Sequence, residues 1–243
     1  MSGAHEVAER LAAVRERMAR AAGRASRDPA GIDLVGVSKR QPVDAMVEAV
    51  AAGLERLGEN YVQEALAKLP ALRATLAACG LPAPRLHFVG RLQRNKARDV
   101  VAAFQCVESV DRESLARALD TRAAGAGVKL PVLIQVNLSG ESQKGGADPE
   151  SLPALLAALS KLEHLSVEGL MTVPAAVDDP EAARPVFARL RRLRDALRSE
   201  PGGAGLRELS MGMSGDFEVA IEEGATLVRV GTAIFGPREA RDA

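Results

Sequence analysis

The chain has 243 residues, room for one large α/β domain or two small ones, and a chain of this size buries roughly 70–75% of its unfolded surface without disulfide or metal staples. Thirty-two Lys and Arg balance thirty-two Asp and Glu, so no global field draws in nucleic acid or an anionic membrane. With no Trp, one Tyr and five Phe there is no stacking platform for single strands, and Cys79 and Cys106 lack the spacing of a disulfide framework or zinc motif.

The opening MSGAHEVAERLAAVRERMAR carries charge at helical intervals, which predicts an amphipathic helix over about residues 4–22. It has no secretory apolar core, and no apolar stretch approaches the ~18 residues of a membrane span, so the protein is expected in the cytoplasm. Short apolar runs then alternate with helical patterns. The first run, IDLVGVS (32–38), leads straight into Lys39 within LVGVSKRQP, with no turn residue before the ammonium group. VDAMVEAVAAG follows as a helix, ERLG (55–58) as the second strand and NYVQEALAKLPALRATLAACG as the next helix. LHFVG (86–90) and CVESV (106–110) are the third and fourth strands, with the polar, basic HFVGRLQRNK stretch (87–96) leading into a helix near Asn95. DRESLARALDTRAAG, VLIQVN (132–137), SLPALLAALSKL and LSVEGLM (165–171) continue the alternation. ARPVFARLRRLRDALR, LRELSM (206–211), DFEVAIEEG and TLVRV (226–230) complete it. Many helical stretches open on Asp or Ser and end at Gly, which predicts capped ends.

Eight Val/Ile/Leu-rich strands separated by helices imply a parallel sheet covered on its outside. The expected fold is α/β: a single (β/α)8 TIM barrel with an extra N-terminal helix, one domain over residues 1–243 and no second domain. An open doubly wound sheet competes, but it would show a Gly-rich turn after its first strand where this chain has SKRQP. In a barrel the C-terminal strand ends face the active site, and there lie Lys39, Glu59, Asn60, Gly90, Arg91, Asp111, Asn137 and Thr172. After strands seven and eight come SMGMSGDFEVAIEEG and RVGTAIFG. Barrels often bind phosphate at these two loops. Ser210, Gly212, Ser214 and Gly215 offer hydroxyls and close backbone approach, Gly231 and Thr232 do the same, and Arg229 adds a charge. A phosphate there, beside an amine from strand one, suits pyridoxal phosphate. From pattern alone Lys39 reads equally well as that amine or as a solvated strand-end lysine.

LVGVSKRQP, GENYVQEA, HFVGRLQRNKA, ESVDR, QVNLSGESQKGG, GLMTVP and LSMGMSGDFEVAIEEGATLVRVGTAIFG, in order from about residue 30 to 236, resemble the pyridoxal phosphate homeostasis proteins. These are single-domain barrels similar to the N-terminal barrel of alanine racemase. The resemblance implies pyridoxal 5'-phosphate held as an aldimine on Lys39, with its phosphate on Ser210, Gly212, Arg229, Gly231 and Thr232. It further implies a protein that buffers or delivers the cofactor, with apo-enzymes as recipients, and that influences amino-acid and keto-acid balance without an established catalytic turnover.

Asn60 is either a contact to the cofactor ring or its hydroxyl, or a helix cap. The HFVGRLQRNK stretch is either a cofactor-face or partner surface involving His87, Gln93 and Asn95, or a polar loop. His87 itself reads as a hydrogen-bonded core residue. Lys144 is either a second amine for cofactor transfer or a solvated loop lysine. RLRRLRD (189–195) is a helix with one buried and one wet face. No metal ligands and no catalytic residues are assigned. The competing function is an amino-acid racemase, which needs two proton-transfer groups on opposite faces of the substrate. In the resembling racemase the second is a tyrosine from a β domain of the partner subunit. Here the sequence reaches Ala243 a few residues past strand eight, so that domain and its dimer contact are not expected and a monomer is. A phosphosugar enzyme, a third reading, would bind its ligand without an aldimine.

Overall fold

Every expected strand forms, with its ends within two residues of those read from the apolar runs. The computed structural model describes residues 3–140 and 145–237. Its strands are β1 (Asp33–Val37), β2 (Arg56–Glu59), β3 (Arg85–Phe88), β4 (Cys106–Val110), β5 (Leu130–Gln135), β6 (Leu165–Met171), β7 (Glu208–Ser210) and β8 (Leu227–Val230). All pair in parallel, in chain order, into a closed barrel. Closure comes from β1 against β8, registered Asp33 to Leu227 through Gly36 to Val230. With no edge strand left, no row of unpaired backbone groups faces water.

Between the strands run α2 (Val43–Ala51), α3 (Val62–Ala78), α4 (Ala97–Ala103), α5 (Glu113–Ala126), α6 (Leu152–Leu159), α7 (Arg184–Leu197) and α8 (Phe217–Glu222), with a last turn α9 (Thr232–Phe235) after β8. The apolar stripe of each helix closes on the outer barrel face: Leu69, Leu72 and Leu76 of α3 are buried, as are Phe187 and Leu190 of α7. The arginines of α7 interleave with those buried positions, the one-sided helix the sequence predicts. The extra helix α1 (Gly3–Arg24) buries Leu11, Val14 and Ala21 and packs on α8, α9 and α2. Full burial of each such Leu or Val contributes about 1.5–3 kcal/mol. No helix of the described residues is long and apolar enough to cross a membrane.

The predicted caps form differently. None of α2 to α9 has a side-chain hydrogen bond at its N-cap. Asp28 and Asp179 instead cap short 3-10 turns, accepting from Ala30 and Glu181, and the second of these turns feeds α7. The glycine expectation holds at Gly127, which ends α5 in the left-handed conformation.

The barrel interior is polar where a stability argument would want it apolar. Glu108, Ser210, Thr172, Arg229 and His87 are all buried. A side chain on β4 meets side chains on β7 and β8 only through the barrel's inside, and Glu108 does so.

Candidate functional site

Because β1 and β8 are neighbours, the residues just past their ends share one opening. Lys39 lies two positions beyond β1, and Gly231 directly follows β8. A cavity of about 300 Å3 opens there, and Lys39, Asn60, Arg229, Gly231 and Thr232 all line it. Ser214 and Gly215, from the loop after β7, complete the polar wall, while Val37 and Val89 are apolar parts of it. Five of the seven predicted cofactor residues thus come together.

The corner between the last two loops is built to receive an anion. Ser214 Oγ accepts the backbone N–H groups of Gly231 at 3.2 Å and Ala233 at 3.3 Å. With both lone pairs engaged, its own hydrogen is left for donation outward. Among the described residues, no acceptor pairs with the backbone N–H groups of Ser214, Gly215 and Thr232. Three N–H donors and two hydroxyls around one cavity wall match the acceptor oxygens of a phosphate. Asp216 closes the loop by accepting from the Met213 N–H at 2.6 Å, and burial pushes its carboxyl upward.

Ser210 and Gly212 do not line the cavity. Ser210, the last residue of β7, points into the barrel, where its Oγ donates to Glu108 Oε2 at 2.5 Å and accepts from Arg229 Nη1. Gly212 has φ +92°, and a Cβ there would sit 2.5 Å from Ala220 Cβ and 2.9 Å from Phe217 Cα. Its part is to let the loop fold over α8. Arg229 reaches the wall, but its guanidinium is tied into the floor: Nη2 donates to the Thr172 carbonyl at 2.8 Å, and Nη1 lies 4.0 Å from Glu108. Burial alone would raise the Glu108 carboxyl. The His87 bond at 2.6 Å and the charges of His87 and Arg229 outweigh it and hold the group below its ordinary value. Arg229 is therefore a cation tethered from beneath, with part of its side chain on the cavity wall.

Asn60 is not a helix cap. Tyr61 occupies that position of α3, and Asn60 Oδ1 is buried without a hydrogen-bond partner. A buried acceptor left unpaired is costly, so a ligand hydroxyl reaching it would gain a bond and relieve that cost. The same residue lines a second, larger cleft of about 900 Å3, walled by Tyr61, Arg91, Gln93, Lys96, Asp111 and Arg112. Of the three residues singled out in HFVGRLQRNK, only Gln93 faces that cleft. His87 is interior, as expected of a core histidine, and Asn95 sits exposed on a 3-10 turn. Lys144 lies outside the described residues.

His87, Cys106 and Glu108 place ligand-type atoms within 4.8 Å of one another. Burial drives the Cys106 thiol well above its ordinary value, and Glu108 is taken by His87 and Ser210, so the group is suited to core packing rather than to holding a cation.

Residues 10–239 match the family model described as alanine racemase, N-terminal domain. A pyridoxal phosphate homeostasis protein of Pseudomonas aeruginosa is 46% identical over 233 residues, 96% of each chain. PipY of Synechococcus elongatus, solved with PLP bound, is 39% identical with a TM-score of 0.81, covering 95% of this chain and 100% of that one. Alanine racemase from Corynebacterium glutamicum, at 18% identity and a TM-score of 0.67, spans 97% of this chain but 62% of its own. That last likeness is one of fold.

Proposed function

From the premise that the chain belongs to the alanine racemase N-terminal domain family, and within it to the pyridoxal phosphate homeostasis proteins, we propose that it binds pyridoxal 5'-phosphate through Lys39 and serves to hold and deliver the cofactor. The observation that carries this reading is the shared cavity of about 300 Å3, with the Lys39 amine and the donors of Ser214, Gly215 and Thr232 on its wall. When bound, the cofactor supplies an aldehyde carbon and an electron-withdrawing ring. Lys39 provides the nucleophilic amine. Ser214, Gly215 and Thr232 donate to the phosphate, Gly231 holds the Ser214 hydroxyl in place with its N–H, Asn60 takes the ring hydroxyl on its orphaned Oδ1, and Arg229 provides a cationic floor. This replaces Ser210 and Gly212 as phosphate contacts and gives them the supporting parts their positions suit.

The carrier reading is preferred to a racemase because a relative at 46% identity is named a pyridoxal phosphate homeostasis protein, whereas alanine racemase, at 18%, shares the fold alone. Among the described residues lining the cavity, no His, Cys, Tyr, Asp or Glu joins Lys39 as a second proton-transfer group. Tyr61, the sole tyrosine, is on the larger cleft and 48% exposed. Residues 1–243 acting as one domain, a monomeric cytoplasmic protein, apo-enzymes as recipients and no binding of nucleic acid complete the proposal.

Borohydride reduction of the cofactor-loaded protein, followed by peptide mapping, is expected to place the reduced label on Lys39 and to find none in Lys39→Ala. A label elsewhere rejects the site. Lysine-dependent racemisation of any amino acid at ~1 per second or faster rejects the carrier role.

A further inference from the structure

The two peptide groups that flank the Lys39 Cα are tied to two side chains on α3, Lys68 and Glu64, which are themselves bonded to each other. Lys68 Nζ donates to the Ser38 carbonyl at 3.0 Å, the oxygen of the peptide group before Lys39. It also donates to Glu59 Oε1 at 2.7 Å and to Glu64 Oε1 at 2.9 Å, so its three N–H groups have three acceptors. Glu64 Oε1 accepts the backbone N–H of Arg40 at 2.5 Å, the nitrogen of the peptide group after Lys39. Glu59 closes the loop by accepting the Ser38 hydroxyl at 2.8 Å.

The cluster adds to a turn that the Gln41 N–H also closes, donating to the Ser38 carbonyl at 3.0 Å, and it reaches the one strained residue of that turn. Arg40 has φ 58°, in the left-handed region that residues with a Cβ rarely occupy unless their surroundings over-determine it. Glu59 is 1% exposed, and its carboxyl is pushed upward by burial, with Lys68 acting against that. A lysine recruited only to neutralise Glu59 has no need of the Ser38 carbonyl. Nor would it share its second carboxylate with the amide on the far side of Lys39.

We propose that Lys68, acting with Glu64, is the positioning residue for Lys39: it fixes the peptide groups on both sides and so aims the amine into the cavity before the cofactor arrives. The inference rests on the reading of Lys39 as the cofactor-binding amine. The step it assists joins Lys39 Nζ to the aldehyde carbon in a carbon–nitrogen double bond. The aldehyde oxygen leaves as water with two protons, and no oxidant or reductant takes part. A preset amine speeds that step without adding any contact to the cofactor itself.

The test compares Lys68→Met and Glu64→Ala with wild type by two ligands. One is pyridoxal 5'-phosphate, followed by the rate at which its visible absorbance reports covalent capture. The other is 4-deoxypyridoxine 5'-phosphate, which keeps the ring and phosphate but has no aldehyde. Both variants are expected to capture the aldehyde about ten-fold more slowly or worse, with affinity for the deoxy analogue within about two-fold of wild type. In the apo protein, hydrogen exchange at the Arg40 amide is expected to speed up in both. Unchanged capture rates, or equal losses for both ligands, overturn the proposal. Glu64, whose side chain is 26% exposed, keeps the test alive if Lys68→Met does not fold. Wild-type labelling at Lys39 is read alongside. If that fails, the cofactor reading falls; if it succeeds while the variants capture at full speed, only the positioning role falls.

Discussion

Glu108 is the anion around which the cavity floor is assembled. It accepts from His87 and Ser210, and Arg229 lies 4.0 Å away, all at or near zero exposure. Its carboxyl is held below the ordinary 4.5, because the His87 bond and the His87 and Arg229 charges outweigh burial. A depressed folded pKa contributes stability that is complete above the unfolded value and is lost as pH falls through the folded one. Wild-type unfolding free energy is therefore expected to decline as pH drops below 4.5. Glu108→Gln should flatten that acid limb while costing about 3 kcal/mol at pH 7, since it leaves buried Arg229 with Asp216 as its remaining counter-charge. Urea titrations across pH check both, and an unchanged acid limb in the variant removes Glu108 from this role. At this scale the sequence was only half readable. The motif SMGMSG offers two serines to one anion, and which of them faces it depends on where β7 stops. Ser210 is the last paired residue and follows the strand's alternation inward, while Ser214 lies within the Met213–Asp216 turn that Asp216 closes. Composition carries no sign of that boundary.

The strands were legible because most of their residues are buried in the barrel wall and so read as short, mainly apolar runs between helical patterns, whatever their register. Helix ends were not, because capping moved onto 3-10 turns upstream of α7 and into the N-terminal connection at Asp28, short devices with no periodicity of their own. Close approaches between elements were equally silent. Gly90, one residue past LHFV, is pressed against the connection from β2 to α3, and a Cβ there would lie 2.1 Å from the Asn60 carbonyl oxygen and 2.7 Å from Asn60 Cα. The neighbour is backbone and has no rotamer by which to yield. Gly90→Ala is expected to destabilise by about 1–3 kcal/mol, lowering the melting temperature by roughly 2–12 °C at ~2–4 °C per kcal/mol for a chain of this size. Because the clash displaces Asn60, cofactor affinity should fall in the same variant. Calorimetry beside a binding titration tests the link, and a variant that loses stability yet binds normally would separate Gly90 from the cavity.

Barrel closure is what turns these local parts into a site. The amine follows the first strand and the anion corner follows the last two, almost the full length of the sequence apart, and they meet only because β1 pairs with β8. The helix α1 buttresses that seam from outside: Arg17 pairs with Glu218 at 3.0 Å and lies 4.6 Å over the Phe217 ring, and Arg24 pairs with Glu222 at 2.6 Å. These exposed pairs add little energy singly, but they lock α8 and with it the loop that presents Ser214. A ligand gripping both ends therefore clamps the seam and stabilises the whole barrel. At a hundred times its dissociation constant, a ligand that binds only the folded state adds about 2.7 kcal/mol. For a chain of this size that raises the melting temperature by roughly 5–10 °C. Pyridoxal 5'-phosphate is expected to produce that rise. Pyridoxal, lacking the phosphate, should produce less at the same concentration, and Lys39→Ala should keep only the share contributed by the anion corner. Ser214→Ala should lose most of the difference between the two vitamers, because it removes the hydroxyl donor and unpairs the Gly231 and Ala233 amides in one change. If the two vitamers shift the Ser214→Ala protein as differently as they shift wild type, the phosphate is held elsewhere and the seam is not the clamp.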